Sequence, residues 1–375
     1  MISRWFLAAG LAVLMLVTGV SSYLYLGTRQ SKVVTPPQKP TAATPRAQAF
    51  TLPGTMYLSQ SGALYSLSAG RFHQLTPESG WMQPSLSPDG SRLIAVDRSP
   101  LFSDVYVLTP YGNVVSRLTN NTARGTDTGA RHWSFYPRLS LDQRTLFMSY
   151  DKPKFGYDVV MSIWSMPYPG NLTQGRLWTN SNDYTGGDIE PVPVRGGGII
   201  YTKYSYGPDD RLIGQLWFTP RAGAIGTELT TPSEDCGQPS VSPAGTQIAM
   251  ICTYEKQVSM LVIASWNGAK LGARQVVISD QLVAQPTWAP DGSGIAYFAP
   301  GGPAAPFQLW WLPRAAYVPP VPNPVPAPVP TPGGPHNGPL PTPLSTPAPT
   351  PAPVKPIQMT TNLGFDATSP IAWAG

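Results

Sequence analysis

Several carboxylates are spaced as acid–base chemistry would need them. Asp89 and Asp291 sit in Pro-Asp-Gly phrases, Asp209-Asp210 and Glu234-Asp235 are adjacent pairs, and Asp188 and Glu190 lie two residues apart. Glu190 with Asp188 and His132 could serve as the acid and base of a lyase or hydrolase. Ordinary structural roles outweigh each of these readings. Asp before Gly satisfies and permits a tight turn between strands, and paired acids in polar loops are solvated charge. The motifs of nucleophilic and phosphate chemistry are missing: no Gly-x-Ser-x-Gly elbow, no Gly-x-Gly-x-x-Gly, no Gly-x-x-x-x-Gly-Lys. The Ser-x-Asp-x-Gly-x-Thr-Trp order of a sialidase box is also lacking. His73, His132 and His336 are scattered and no Cys-x-x-Cys pair exists, which argues against a metal. The expectation is a chain with no catalytic residues, no cofactor and no metal.

The two cysteines, Cys236 and Cys252, flank the Ser242-Pro-Ala-Gly245 turn, six residues before it and seven after. In an antiparallel hairpin about that turn they face each other, close enough to bridge. Two buried thiols are the alternative. With an export segment and only 12% charged residues, a disulfide and an oxidising compartment are expected.

These residues must be held by repeated elements. The phrase Gln83-Pro-Ser-Leu-Ser-Pro-Asp-Gly90 returns as Tyr136-Pro-Arg-Leu-Ser-Leu-Asp142, as the degenerate Glu190-Pro-Val-Pro-Val-Arg-Gly-Gly197, as Gln238-Pro-Ser-Val-Ser-Pro-Ala-Gly245 and as Gln285-Pro-Thr-Trp-Ala-Pro-Asp-Gly292. A last copy is Ser369-Pro-Ile-Ala-Trp-Ala-Gly375, and the marker prolines are 53, 54, 48, 47 and 84 residues apart. Each of the first five phrases precedes apolar runs rich in β-branched and aromatic residues, such as Arg92-Leu-Ile-Ala-Val96 and Asp104-Val-Tyr-Val-Leu108, and then a Leu-Thr-like ending. Such runs separated by turn residues are strands. Four per repeat of about 45 residues make a β-propeller blade.

The Pro-x-(Leu/Trp/Val)-(Ser/Ala)-Pro-Asp-Gly phrases and the Leu-Tyr/Trp strands after them resemble the TolB-type, WD-like propeller repeat of bacterial envelope proteins. The resemblance covers residues 54–375 apart from one insertion. It implies an all-β fold and protein–protein interaction in the cell envelope, with the propeller as a rigid platform. Six blades are predicted. The sixth is closed by the chain ends: Pro370 to Trp373 supplies its innermost strand and Gly54 to Pro77 its outer three, so no free edge remains. Residues 318–356, with proline at nearly every second position, are read as a stiff, extended insertion between the third and fourth strands of the fifth blade.

Repeat symmetry gathers the residues before the marker prolines, Gln83, Tyr136, Glu190, Gln238, Gln285 and Ser369, into a ring at the mouth of the central channel. Convergent polar groups there suit a ligand or partner, and they equally suit mutual hydrogen bonding. Loops on the same face contribute Tyr204, Tyr206, Asp209, Asp210 and Arg211, with Lys152, Lys154, Tyr254 and Lys256, as a partner-binding surface.

Trp5 to Leu26 is a 22-residue uncharged stretch, long enough to cross a bilayer. It is read as an uncleaved signal anchor within residues 1–27 rather than a cleavable signal peptide. A Pro/Ala/Thr-rich linker, 28–53, follows. The net charge of +5 comes from outside the propeller: six of the 25 basic residues lie in the N-terminal region or the insertion, leaving 19 against 20 acids. A neutral core argues against nucleic acid. The linker joins the propeller on the face opposite the ring, so the ring face is expected to point away from the membrane. The function expected is a membrane-tethered, extracytoplasmic, non-catalytic scaffold that binds envelope proteins, periplasmic or at the cell surface. The alternative is a small-molecule or glycan sensor, or an enzyme, using the central channel.

Overall fold

Each copy of the proline phrase folds as the innermost strand of a four-stranded antiparallel sheet. The computed structural model describes residues 51–123, 128–154, 159–254, 258–318 and 354–375. Its sheets are six, with innermost strands Trp81–Leu86, Ser134–Leu139, Asp188–Pro193, Cys236–Val241, Ala284–Trp288 and Ala372–Ala374. Five sheets run outward in chain order. The sixth is built from both ends of the described chain: Ala372–Ala374 pairs with Thr55–Gln60, which continues to Ala63–Ser68 and Arg71–Gln74. This is the predicted six-bladed, end-closed propeller. The third and fourth strands of the fifth blade are Phe307–Pro313 and Ile357–Gln358, so the proline-rich stretch is inserted between them. Most of that stretch, all of the Trp5–Leu26 segment and most of the linker lie outside the described residues. Among the described residues no helix is long and apolar enough to cross a membrane.

Apolar side chains fill the spaces between blades. Six buried clusters occur, one at each interface between neighbours. The smallest, Phe147 and Ile163 against Ile199 and Tyr201, joins the second and third blades. Alternation along each strand supplies one face of a blade to each neighbour.

The Leu-Thr endings have a mechanical reason. Thr76, Thr119, Thr179, Thr230 and Thr360 follow the outermost strands, and each accepts a hydrogen bond on Oγ1 from a third-strand amide. The donors are Leu64, Val105, Ile163, Leu216 and Leu309, at 2.9–3.0 Å. A short edge strand is thereby ended while the last amide of its neighbour stays satisfied. The Pro-Asp-Gly turns are equally self-contained. The Ser87 and Ser91 hydroxyls both donate to Asp89, at 2.6 and 3.0 Å, and these bonds hold its carboxyl down at about 2. Asp142 and Asp291 make the same kind of turn contact. These acids are turn formers.

Candidate functional site

The marker prolines create the site's backbone. In five blades the pairing register slips by one residue at the X-Pro dipeptide, for example between Met82↔Val96 and Ser85↔Ile94. The same slip recurs at 136–137, 190–191, 238–239 and 285–286. Proline has no N–H to give the ladder, so it is tolerated at a bulge. The residue before it takes the left-handed region: Gln83, Tyr136, Glu190, Gln238 and Gln285 have φ between 51° and 58°. For non-glycine residues this costs on the order of 1 kcal/mol each, repeated five times around one channel.

What holds those five bulges is a polar girdle that runs from blade to blade. Ser369 Oγ accepts from the Gln83 amide at 2.6 Å, and Gln83 Oε1 accepts from the Tyr136 amide at 2.8 Å. Glu190 Oε2 accepts from the Gln238 amide at 3.0 Å, and Gln238 Oε1 from the Gln285 amide at 2.7 Å. Gln285 Nε2 then donates back across the channel to Glu190 Oε1 at 3.2 Å, and Thr202 donates to Oε2 at 3.2 Å. The girdle is thus two arcs, Ser369–Gln83–Tyr136 and Glu190–Gln238–Gln285. The gap between Tyr136 and Glu190 falls at the blade interface with the smallest apolar cluster.

All six ring residues are therefore brought together as repeat symmetry predicts, with two differences. Five of them lie at the second or third position of their strands, about 3–7 Å past the strand start at about 3.3 Å per residue, and Ser369 lies just before its strand Ala372–Ala374. The side chains of Ser369, Gln83, Glu190 and Gln238 also accept from the next blade's amide, the use that buried polar groups most often find. Ser369, Gln83, Gln285 and Glu190 are buried. Burial raises the pKa of Glu190, with its hydrogen bonds opposing, and burial also raises that of Asp188 against the pull of Lys203. A folded-state pKa above the unfolded value makes stability fall as pH rises from the ordinary carboxylate range through the raised value. Glu190→Gln is expected to flatten that decline above the ordinary carboxylate range in thermal melts, leaving the part due to Asp188. An unchanged slope would show that Glu190 does not titrate as described.

The acid–base trio is not assembled. His132 Nδ1 pairs with Asp151 at 2.8 Å, Asp188 with Lys203 at 3.2 Å, and Glu190 belongs to the girdle. Asp151 is fully buried and also meets Lys154 at 3.2 Å. Nineteen residues separate His132 from Asp151, and neither carries a motif that would have announced the pair. Among the described residues no three His, Cys, Asp or Glu side chains gather as metal ligands would. Cys236 and Cys252 are disulfide-bonded, directly paired across the first two strands of the fourth blade, with Cα atoms 4.1 Å apart.

The predicted loop residues divide. Tyr206 is exposed and donates to the Tyr184 carbonyl at 2.8 Å. Asp209 and Asp210 are exposed in the turn after it, and Arg211 meets Asp235 at 3.6 Å. Tyr204 is a correction: it lies inside the strand Ile199–Tyr206, part-buried, and burial with the nearby Glu190 and Asp235 raises its pKa. Lys152 packs over the Trp164 ring at 5.6 Å, and Tyr254 is part-exposed. Lys256 lies outside the described residues.

Six antiparallel four-stranded blades closed by the chain ends, with X-Pro bulges around the axis, define a TolB-type propeller fold. Solved structures that share it include two TolB proteins. A TolB-designated protein from Agrobacterium tumefaciens superposes with a TM-score of 0.50 at 15% identity, over 70% of this chain and 85% of that one. TolB from Acinetobacter baumannii superposes at 0.53 and 14% identity, over 70% of this chain and 62% of that one. This chain thus spans under two thirds of the second protein's length. A puromycin-hydrolyzing peptidase from Mycobacterium tuberculosis is more distant, at 0.45 and 13% identity over 68% of this chain and 39% of its own. No family model matches the sequence, and no curated protein does.

Proposed function

We propose that this chain is a non-catalytic binding module: a membrane-tethered, extracytoplasmic propeller that docks a cell-envelope protein on the face where its innermost strands begin, here the upper face. The observation that carries the reading is an exposed aromatic pair, Tyr184 and Tyr206, with exposed apolar neighbours on the same face. Leu101, Val159, Tyr184, Val258 and Leu282 lie exposed in loops of the upper face, and Tyr206 and Leu212 lie exposed at strand ends there. Tyr184 and Tyr206 are 76% and 54% exposed and touch each other. An aromatic centre in a field of scattered aliphatics and loop charges is what protein interfaces use as anchors. The apolar Trp5–Leu26 segment supports a tether, and the disulfide supports an oxidising compartment. The catalytic alternative lacks support from the channel, where the carboxylate and amides of the girdle are engaged with one another.

Changing Tyr184 and Tyr206 together to Glu is expected to lower recovery of the crosslinked partner from the protein's own membranes at least tenfold. The thermal midpoint should stay within about 2 °C of wild type, because exposed substitutions of this kind rarely exceed about 0.5 kcal/mol. Undiminished recovery would remove the upper face from the reading.

A further inference from the structure

The lower half of the channel is a different place from the girdle. Between the girdle and the turns that end the innermost strands lies a cavity of about 430 Å³. Its walls mix apolar side chains, Leu139, Val192, Val241, Ile371 and Trp373 among them, with polar ones. Three charged side chains line it, Arg138, Glu190 and Arg195, and of these Arg195 is exposed and donates to the Pro243 carbonyl at 2.8 Å. At the position after the marker proline the repeat carries Ser85, Val192, Ser240, Thr287 and Ile371 in five blades and Arg138 in the second blade. A neutral side chain of modest size serves this position elsewhere, so the guanidinium is not required by the blade.

Arg138 lines the cavity, and among the described residues its guanidinium has neither a hydrogen bond nor an ion pair within 4.0 Å. The nearby acid is Glu190, close enough for its charge to oppose the effect of burial on Arg138. Its two oxygens are already engaged by Gln285, Thr202 and the Gln238 amide. Five N–H donors in a planar fork, half-buried and without a protein partner, are left to water or to a ligand. That arrangement suits an anion of matching geometry.

We propose that the lower channel binds an organic monocarboxylate with an apolar body, its carboxylate forked on Arg138 and its body against the aliphatic wall and Trp373. Three observations choose this class. Glu190 beside Arg138 disfavours a dianion such as phosphate. The planar guanidinium matches a carboxylate bidentately. A cavity of this size, with an apolar stretch of wall beside polar groups, suits a small organic molecule. The site is at the other end of the channel from the upper-face loops, so it stands or falls independently of the partner reading.

The test uses the full chain in detergent, titrated with N-acetyl-leucine and its uncharged amide and followed by calorimetry and tryptophan fluorescence. A second arm uses a pentapeptide ending in leucine, with its terminus free or amidated. Wild type is expected to bind the free acid at least about tenfold more tightly than the amide, the loss expected when a charge-assisted pair is removed. Arg138→Gln should abolish that preference, and Arg138→Lys, a point charge without the fork, should weaken it. Binding of the acid alone identifies a free metabolite as the source, and equal binding of the free-terminus peptide identifies a chain terminus. Equal affinity for acid and amide in wild type, no binding of either, or a preference that survives Arg138→Gln would overturn the proposal. If Arg138→Gln does not fold, the Arg138→Lys comparison carries the test, and wild-type affinity in that variant would overturn it as well.

Discussion

Removing Ser369–Gly375 is expected to abolish the cooperative unfolding transition. This short segment supplies the sixth blade's innermost strand, paired through Ala372 and Trp373 to Tyr57 and Met56. Ile371 and Ala372 are buried, and the Trp373 ring packs edge-on against Trp311 at 5.7 Å. Ser369 holds the Gln83 amide, the first link of one girdle arc. Losing a buried Ile costs about 2–5 kcal/mol and a packed Trp about 3–5 kcal/mol, which together match the whole stability of an ordinary domain. The strand Thr55–Gln60 would also present an unpaired edge to the channel, inviting association. A milder change tests the same closure. Gly54 has φ +73°, and a Cβ there would lie 2.0 Å from the Ala374 carbonyl oxygen. Gly54→Ala should therefore force the closing strand to shift and lower the thermal midpoint by several degrees. The readouts are circular-dichroism melts and gel filtration. A monomeric deletion variant melting cooperatively near the wild-type temperature would refute the closed-ring description.

The second large effect is expected from the Cys236–Cys252 disulfide. It closes a 16-residue separation, for which loop-closure entropy in the unfolded chain gives about 3 kcal/mol. Both cysteines are fully buried in the cluster joining the third and fourth blades, beside Ile248, Met250 and Val262. Replacing both with Ala leaves that packing slightly loosened, and the double variant should lose about 2–4 kcal/mol in denaturant titrations. A single Cys→Ser change should cost more per site, because a hydroxyl would enter an apolar cluster. A double variant as stable as wild type would mean the bridge is incidental to the blade.

Much of the fold was legible because each blade repeats one phrase, and a repeat fixes strand order before any contact is known. The paired cysteines were legible for the same reason: the turn between them sets which residues face, and Cys236↔Cys252 is the observed register. The marker proline was legible as a landmark but not as a cause. Its meaning, a bulge that turns the preceding residue left-handed and inward, depends on a missing N–H that a strand pattern does not display. The depth of the ring in the channel and the handing of each side chain to the next blade's amide are likewise three-dimensional facts. Tyr204 was misplaced because the strand Ile199–Tyr206 runs longer than its counterparts in the first two blades. Arg138 carried a visible signal, the odd residue in a column of neutral ones, which gains meaning only beside the cavity it lines.

The central claim is that a protein partner meets the upper face. The most direct measurement places a photo-crosslinking amino acid at Tyr206 and, separately, at Tyr111, which is 82% exposed in a loop of the opposite face. Irradiation in the protein's own cells should yield one discrete higher-mass adduct from position 206 and none from position 111. An adduct from 111 with silence at 206 would contradict the account and move the interaction to the other end of the propeller.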